Sequence, residues 1–192
     1  MDNLALYGFV FFGLFSPGPN VILLTASGAR FGFRATVPHL LGVALGVGVT
    51  AGLTGYGLGA LLLAMPSLTL ALKLVSSLWI VWMAWGLWRS EPVAQSGRDR
   101  PFTLFEAILF QWVNPKVWAV ALAATAYVVD APPATQAITL ALTFSITNLF
   151  VCLFWTATGH GLSGLLQDPA RWRFFMRAMA LALVLFSGLV FL

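Results

Sequence analysis

Apolar residues run from Leu4 to Phe15 and resume from Val21 to Leu24, and between them stands Ser16-Pro17-Gly18-Pro19-Asn20. No helix passes through such a stretch intact, because each proline removes an amide donor and crowds the preceding turn. In hydrocarbon a broken helix survives only where the freed backbone groups face protein or a water-filled cavity. Broken helices of this kind commonly build the substrate sites of transporters. The interruption therefore restricts both the fold and the place to look for function.

The rest of the chain makes the hydrocarbon setting necessary. Only 8% of its 192 residues are charged and 60% are hydrophobic, whereas soluble domains carry about 25% charged residues. The length accommodates about six spans of ~20 residues. The spans are expected at roughly 4–26, 37–64, 68–88, 103–129, 133–160 and 174–192. The expectation is an all-α polytopic membrane protein: a single transmembrane transporter domain over 1–192, with no soluble appendage. Met1-Asp2-Asn3 lacks the basic start of a cleaved leader, so the first segment is expected to be a retained span. Its polar connector, 89–101, divides the chain into halves of about 1–88 and 102–192. The single cysteine, Cys152, excludes two-thiol chemistry and reads as a small buried hydrophobe.

Eight of the ten basic residues fall in three connections: Arg30 and Arg34; Arg89, Arg98 and Arg100; Arg171, Arg173 and Arg177. The positive-inside rule places these in the cytoplasm and both termini in the periplasm. The net charge of +4 follows from those arginines and implies no nucleic acid. Three spans per half is an odd number, so equivalent halves must be inverted. Span four carries its own interruption, Gln111-Trp112-Val113-Asn114-Pro115-Lys116, near the middle, as span one does. The fold expected is six helices as two inverted three-helix repeats, with spans one and four broken.

Ser16-Pro17-Gly18-Pro19-Asn20, Gly32-Phe33-Arg34 and Asn114-Pro115-Lys116 together resemble the lysine exporter / homoserine-threonine exporter (LysE/RhtB) family, over nearly the whole chain. The resemblance implies a six-span bacterial inner-membrane protein that exports amino acids, with proton exchange as the energy source. Gln111-Trp112-Val113-Asn114 and Gly159-His160-Gly161-Leu162 are similar to the branch that exports cysteine and O-acetylserine. Ala126-Tyr127-Val128-Val129-Asp130 departs from the Phe-Leu-Pro-Gln-Phe-like stretch of many members.

Lys116 is the sharpest candidate. It lies ~21 Å along span four at ~1.5 Å per residue, where a cation costs ~2.5–3.5 kcal/mol on insertion scales. It serves either as a contact to a substrate carboxylate or as a structural ammonium on carbonyls freed by Pro115. Ser16, Pro17, Gly18, Pro19 and Asn20 offer a positive helix end to a carboxylate and freed carbonyls to an ammonium; the plainer reading is a packing kink. Gln111, Asn114 and Pro115 complete the substrate-site set, the asparagines binding either substrate or the opposite broken helix. Glu106 is the coupling candidate, against the plainer reading that it pairs with a loop arginine. His39 and His160 read as interface residues. Trp79, Trp82 and Trp85 pack against lipid or a neighbouring helix, and Trp88 anchors at the interface. The spacings Gly42/Gly46, Gly48/Gly52 and Gly55/Gly59 signal close helix packing, within the chain or in a homo-oligomer through span two.

The expected function is secondary export of small neutral amino acids or derivatives, with the bilayer and the amino acid as partners, and no cofactor, metal or enzymatic chemistry. The alternatives are export of another small solute or cation, or a non-transporting scaffold. A thiol relay lacks its second cysteine, a heavy-metal exporter lacks ligands within the spans, and no nucleotide-binding loop is present.

Overall fold

The computed structural model describes residues 4–90 and 100–189. The central part of the connector, with Arg98, and the extreme termini lie outside the described residues. Everything described is helix, turn or short connection, with no strand.

The prolines and glycines set the punctuation. Helix α1 (Leu4–Phe15) stops at the Ser16–Gly18 break, and α2 (Pro19–Phe31) begins with proline at its first position. There the missing amide costs nothing and the fixed φ suits the helix. The pair is bent by 57°. Gly32, at φ 82° and ψ 167°, ends α2 in a conformation essentially restricted to glycine. Helix α3 (Phe33–Leu53) runs through a π turn, Thr54–Leu58, into α4 (Gly59–Ala64). Gly57 takes φ 130° there, so the second span has a kink of its own. Helix α5 (Pro66–Trp88) follows. Span four divides into α6 (Leu104–Trp112) and α7 (Pro115–Ala124), bent by 64°. The long α8 (Pro133–Leu162) and α9 (Pro169–Leu189) complete the chain.

Three units, Phe33–Ala64, α5 and α8, are long and apolar enough to cross a membrane, and the two bent pairs bring the number to five. Helix α9 does not reach that threshold; Arg171, Arg173 and Arg177 occupy its first half.

The main core joins both broken spans to α3 and α8. Leu6, Val10 and Leu14 of α1 meet Val21 and Leu24 of α2, Val43 and Val47 of α3, Val117 and Ala121 of α7, and Phe144 and Val151 of α8. A second cluster, including Ile80, Met83, Ala180 and Leu183, packs α5 on α9 and both on Leu23 and Phe110. The Trp172 indole donates to the Ser90 carbonyl at 3.1 Å, fixing the start of α9 to the end of α5.

The span-two glycines are used inside the chain. A β-carbon on Gly42 would lie 2.3 Å from the Leu104 carbonyl oxygen, and one on Gly46 would lie 2.9 Å from the Ile108 α-carbon. Gly48 and Gly52 face Ala141 and Ser145 of α8, Gly55 faces Gln136 and Leu140, and Gly59 faces Leu122. The glycines of this stripe other than Gly57 thus face α6, α7 and α8 within the chain, and the face of span two that stays open carries Leu41, Leu45 and Val49. Helices α2 and α8 make a further close crossing, with a Gly28 β-carbon 2.3 Å from the Thr156 carbonyl and a Gly159 β-carbon 2.1 Å from the Thr25 carbonyl.

Trp79, Trp82, Trp85 and Trp88 are all exposed. Arg89 lies over the Trp85 ring at 4.3 Å and Arg177 over the Trp88 ring at 5.0 Å. Cys152 is a buried free thiol.

Candidate functional site

Each break exposes polar backbone at a helix end, and the fold brings the two breaks together. The Lys116 ammonium, in the first turn of α7, donates to the Ser16 carbonyl and, at 3.5 Å, to the Pro17 carbonyl. These are acceptors that the end of α1 leaves unused. Gly18 makes the approach feasible: a β-carbon there would lie 2.6 Å from Lys116 Cδ and 3.0 Å from Nζ. Gly18 is extended, at φ −174°, so its role is space rather than backbone conformation. Pro19 and Pro115 open the second half-helix of each broken pair, α2 and α7. Trp118 Nε1 donates to the Trp112 carbonyl at 2.9 Å, satisfying an acceptor that the second break leaves open.

The amides are fixed by a chain of hydrogen bonds that begins at a backbone carbonyl. Gln111 Nε2 donates to the Ala107 carbonyl at 2.8 Å. Gln111 Oε1 therefore faces away and accepts from Asn20 Nδ2 at 2.8 Å. Asn20 Oδ1 is left as a buried acceptor with no partner among the described residues. Asn114 Oδ1 accepts the Lys116 backbone amide at 3.2 Å, capping α7. Its Nδ2 is then a buried donor with no partner among the described residues, and so is Nδ2 of Asn148 on α8. Gly18, Asn20, Asn114, Lys116 and Asn148 border one small cavity of about 10 Å³, close to the ~10–15 Å³ that a single water requires.

The structure thus gathers Ser16, Pro17, Gly18, Asn20, Gln111, Asn114 and Lys116, with Pro19 and Pro115 as the helix starts beside them. Asn148 is an addition; its only sign in the sequence is an amide within the apolar run of span five. Trp118 was hidden among other tryptophans.

Glu106 is not brought to this cavity. It forms a capping box with Thr103 at the start of α6 and takes Arg100 in a two-pronged ion pair at 2.6 Å. The carboxylate, by hydrogen bond and by charge, raises the already high pKa of the Arg100 guanidinium. Asp130 is exposed at a helix–helix turn. His39 differs from the interface residue expected: it is 2% exposed and packs on the Phe102 ring at 5.0 Å.

A sequence profile of the family described as LysE type translocator matches residues 11–192. A cysteine/O-acetylserine efflux protein of Salmonella typhimurium is 28% identical over 149 residues, covering 76% of this chain and 75% of that protein. The protein of the same description from Salmonella choleraesuis matches to the same extent. One from Escherichia coli O6:H1 is 27% identical over 161 residues, 81% of each chain. No solved structure matches.

Proposed function

Given that the chain belongs to the LysE type translocator family, we propose that it is a secondary exporter of small neutral amino acids or close derivatives, with cysteine and O-acetylserine as the leading substrates. The observation that carries this is the set of polar atoms left over at the meeting of the breaks. Two amide donors, Asn114 Nδ2 and Asn148 Nδ2, and one acceptor, Asn20 Oδ1, are buried and unpaired among the described residues. Lys116 and the amino-terminal ends of α2 and α7 lie beside them. Donors, a cation and positive helix ends suit a carboxylate. The Asn20 oxygen and the carbonyls of Ser16 and Pro17 suit an ammonium. A zwitterion needs both, and unpaired buried polar groups are costly until something pairs them.

The charge balance selects among amino acids. Among the described residues bordering this cavity there is one cation and no carboxylate. A lysine or arginine substrate would bring a second cation into low dielectric with nothing to offset it. The names of the relatives point to neutral substrates as well.

The cavity is too small for an amino acid as it stands, so loading requires the half-helices to part. Two breaks with independent inner and outer halves supply hinges for that motion. We take the six expected spans as two inverted repeats, α9 supplying the sixth. The arginine-bearing connections face the cytoplasm and both termini the periplasm, in a bacterial inner membrane, with an exchanged proton supplying energy.

The test uses vesicles loaded through the purified, reconstituted protein. Wild type should release serine, cysteine or O-acetylserine ahead of lysine and arginine. Lys116→Ala, verified as folded and inserted, should release none. Normal export by that variant would make Lys116 structural. Preference for lysine or arginine would overturn the charge argument.

A further inference from the structure

A cavity far larger than the one at the breaks lies elsewhere in the fold. It has a volume of about 440 Å³ and lies between the end of α2, the start of α3, the end of α5 and the segment leading into α6. That is within the roughly 300–1,000 Å³ of small-molecule clefts. Arg30, Arg89 and Arg100 border it; Glu106 already takes the Arg100 guanidinium, and no carboxylate is in the wall itself among the described residues. His39 borders it too, and neither of its buried ring nitrogens has a hydrogen-bond partner among the described residues. An imidazole always carries at least one N–H donor, so the wall presents an unmet polar demand beside guanidinium groups.

The chamber connects to the polar cluster along one face of α2. Asn20, Leu23, Ser27 and Arg30 are three or four residues apart, the spacing of one helix face. Asn20 borders the small cavity at the breaks; Leu23, Ser27 and Arg30 border the chamber. Between the two, Leu23 packs with Met83 and Phe110, and Phe110 is the neighbour in sequence of Gln111, which binds Asn20. An apolar plug thus separates an electropositive, solvent-sized chamber from the closed cluster.

We propose that this chamber is the loading site of the exporter, where a cytoplasmic amino acid is first held by its carboxylate at Arg89, with His39 donating to it. Planar guanidinium groups suit carboxylates. The apolar residues of the chamber take the substrate's side chain, and its ammonium remains in water at the mouth. Movement of Leu23, Met83 and Phe110 then opens the way to Asn20. This rests on the export reading, but its test reports on the chamber directly.

Gly86 borders the chamber, and a β-carbon there would meet no atom within 4 Å, so Gly86→Cys gives an accessible probe. In the full chain with Cys152→Ser, reconstituted in neutral-lipid vesicles, it is labelled from the arginine-bearing face. The reagents are a sulfonate and a trimethylammonium methanethiosulfonate, each rate normalised to that of a free thiol. The sulfonate should react about tenfold faster, and O-acetylserine should slow it in a saturable way. Arg89→Gln should reduce both effects at least fivefold, and Arg89→Lys should retain the charge preference. Lys116→Ala should leave protection intact while abolishing export. Equal reagent rates, or an Arg89→Gln protein that is still fully protected, would overturn the proposal. Protection by anionic phospholipid but not by O-acetylserine would do the same, making the chamber a lipid site. Protection without export in wild type would sink the export reading and leave the chamber as an amino-acid site; export without protection would do the reverse.

Discussion

Replacing Gly159 by alanine tests the glycine that, among the described residues, comes nearest to another helix's backbone. Its β-carbon would lie 2.1 Å from the Thr25 carbonyl oxygen, 2.9 Å from the Thr25 carbonyl carbon and 3.0 Å from the Ala29 amide nitrogen. All three are backbone atoms of α2, so no rotamer change relieves them. Ordinary contact begins near 3.4 Å, and α8 and α2 must therefore separate by about 1.3 Å. Overpacking of this size costs about 1–3 kcal/mol. Gly161, two positions on in the same helix, is the control: a β-carbon there meets nothing within 4 Å, and alanine is the better helix former. The two substitutions should differ in sign, Gly159→Ala destabilising and Gly161→Ala neutral or slightly stabilising. Unfolding in mixed micelles by titrated dodecyl sulfate, followed by tryptophan fluorescence, measures the difference. Coincident midpoints would refute the close crossing of α2 and α8.

Glu106→Gln should leave export and its pH dependence unchanged, since the carboxylate is spent on capping α6 and on Arg100; a shifted pH profile in vesicle assays would restore a coupling role. Asn148→Leu should raise the KM for a neutral amino acid about tenfold or more, the loss of one charged-group hydrogen bond of ~1.5 kcal/mol or more, and an unchanged KM would remove α8 from the site. For orientation, cysteines at Asn3 and Gln95, in a chain with Cys152→Ser, should be labelled from outside intact spheroplasts at Asn3 only; labelling at Gln95 alone would invert the topology.

The breaks were legible because proline acts locally: Pro17, Pro19 and Pro115 end or start helices wherever they stand. The place of Lys116 just after a break was legible from Pro115 beside it, but a continuous helix rise could not place it, because span four bends by 64° before Lys116. Its acceptors were not legible, because the Ser16 and Pro17 carbonyls are about a hundred positions away and only packing brings them near. The glycine spacings of span two announced close packing, yet spacing has no direction, and the neighbours proved to be α6, α7 and α8. Glu106 allowed two roles until Arg100 and Thr103 were in place around it. Asn148 and His39 were single polar residues in apolar runs, and which way each faces depends on helix rotation that no periodicity recorded. The kink at Gly57 escaped notice because seven glycines in one span mask the one with positive φ.

The hold of Lys116 on Ser16 and Pro17 has a consequence for the transport cycle. In the empty carrier its ammonium already occupies the acceptors that a substrate's ammonium would use. On the proposed export reading, loading would be a swap: the substrate carboxylate would draw Lys116 away, and the substrate ammonium would take the vacated carbonyls. A carrier whose binding groups are left stranded without cargo is held back from reorienting empty and works as an obligatory exchanger. On the proposed export reading Lys116 stands in at the ammonium end alone, while Asn20, Asn114 and Asn148 keep their unpaired atoms among the described residues, so the empty form is relieved at one end of the site and stranded at the other.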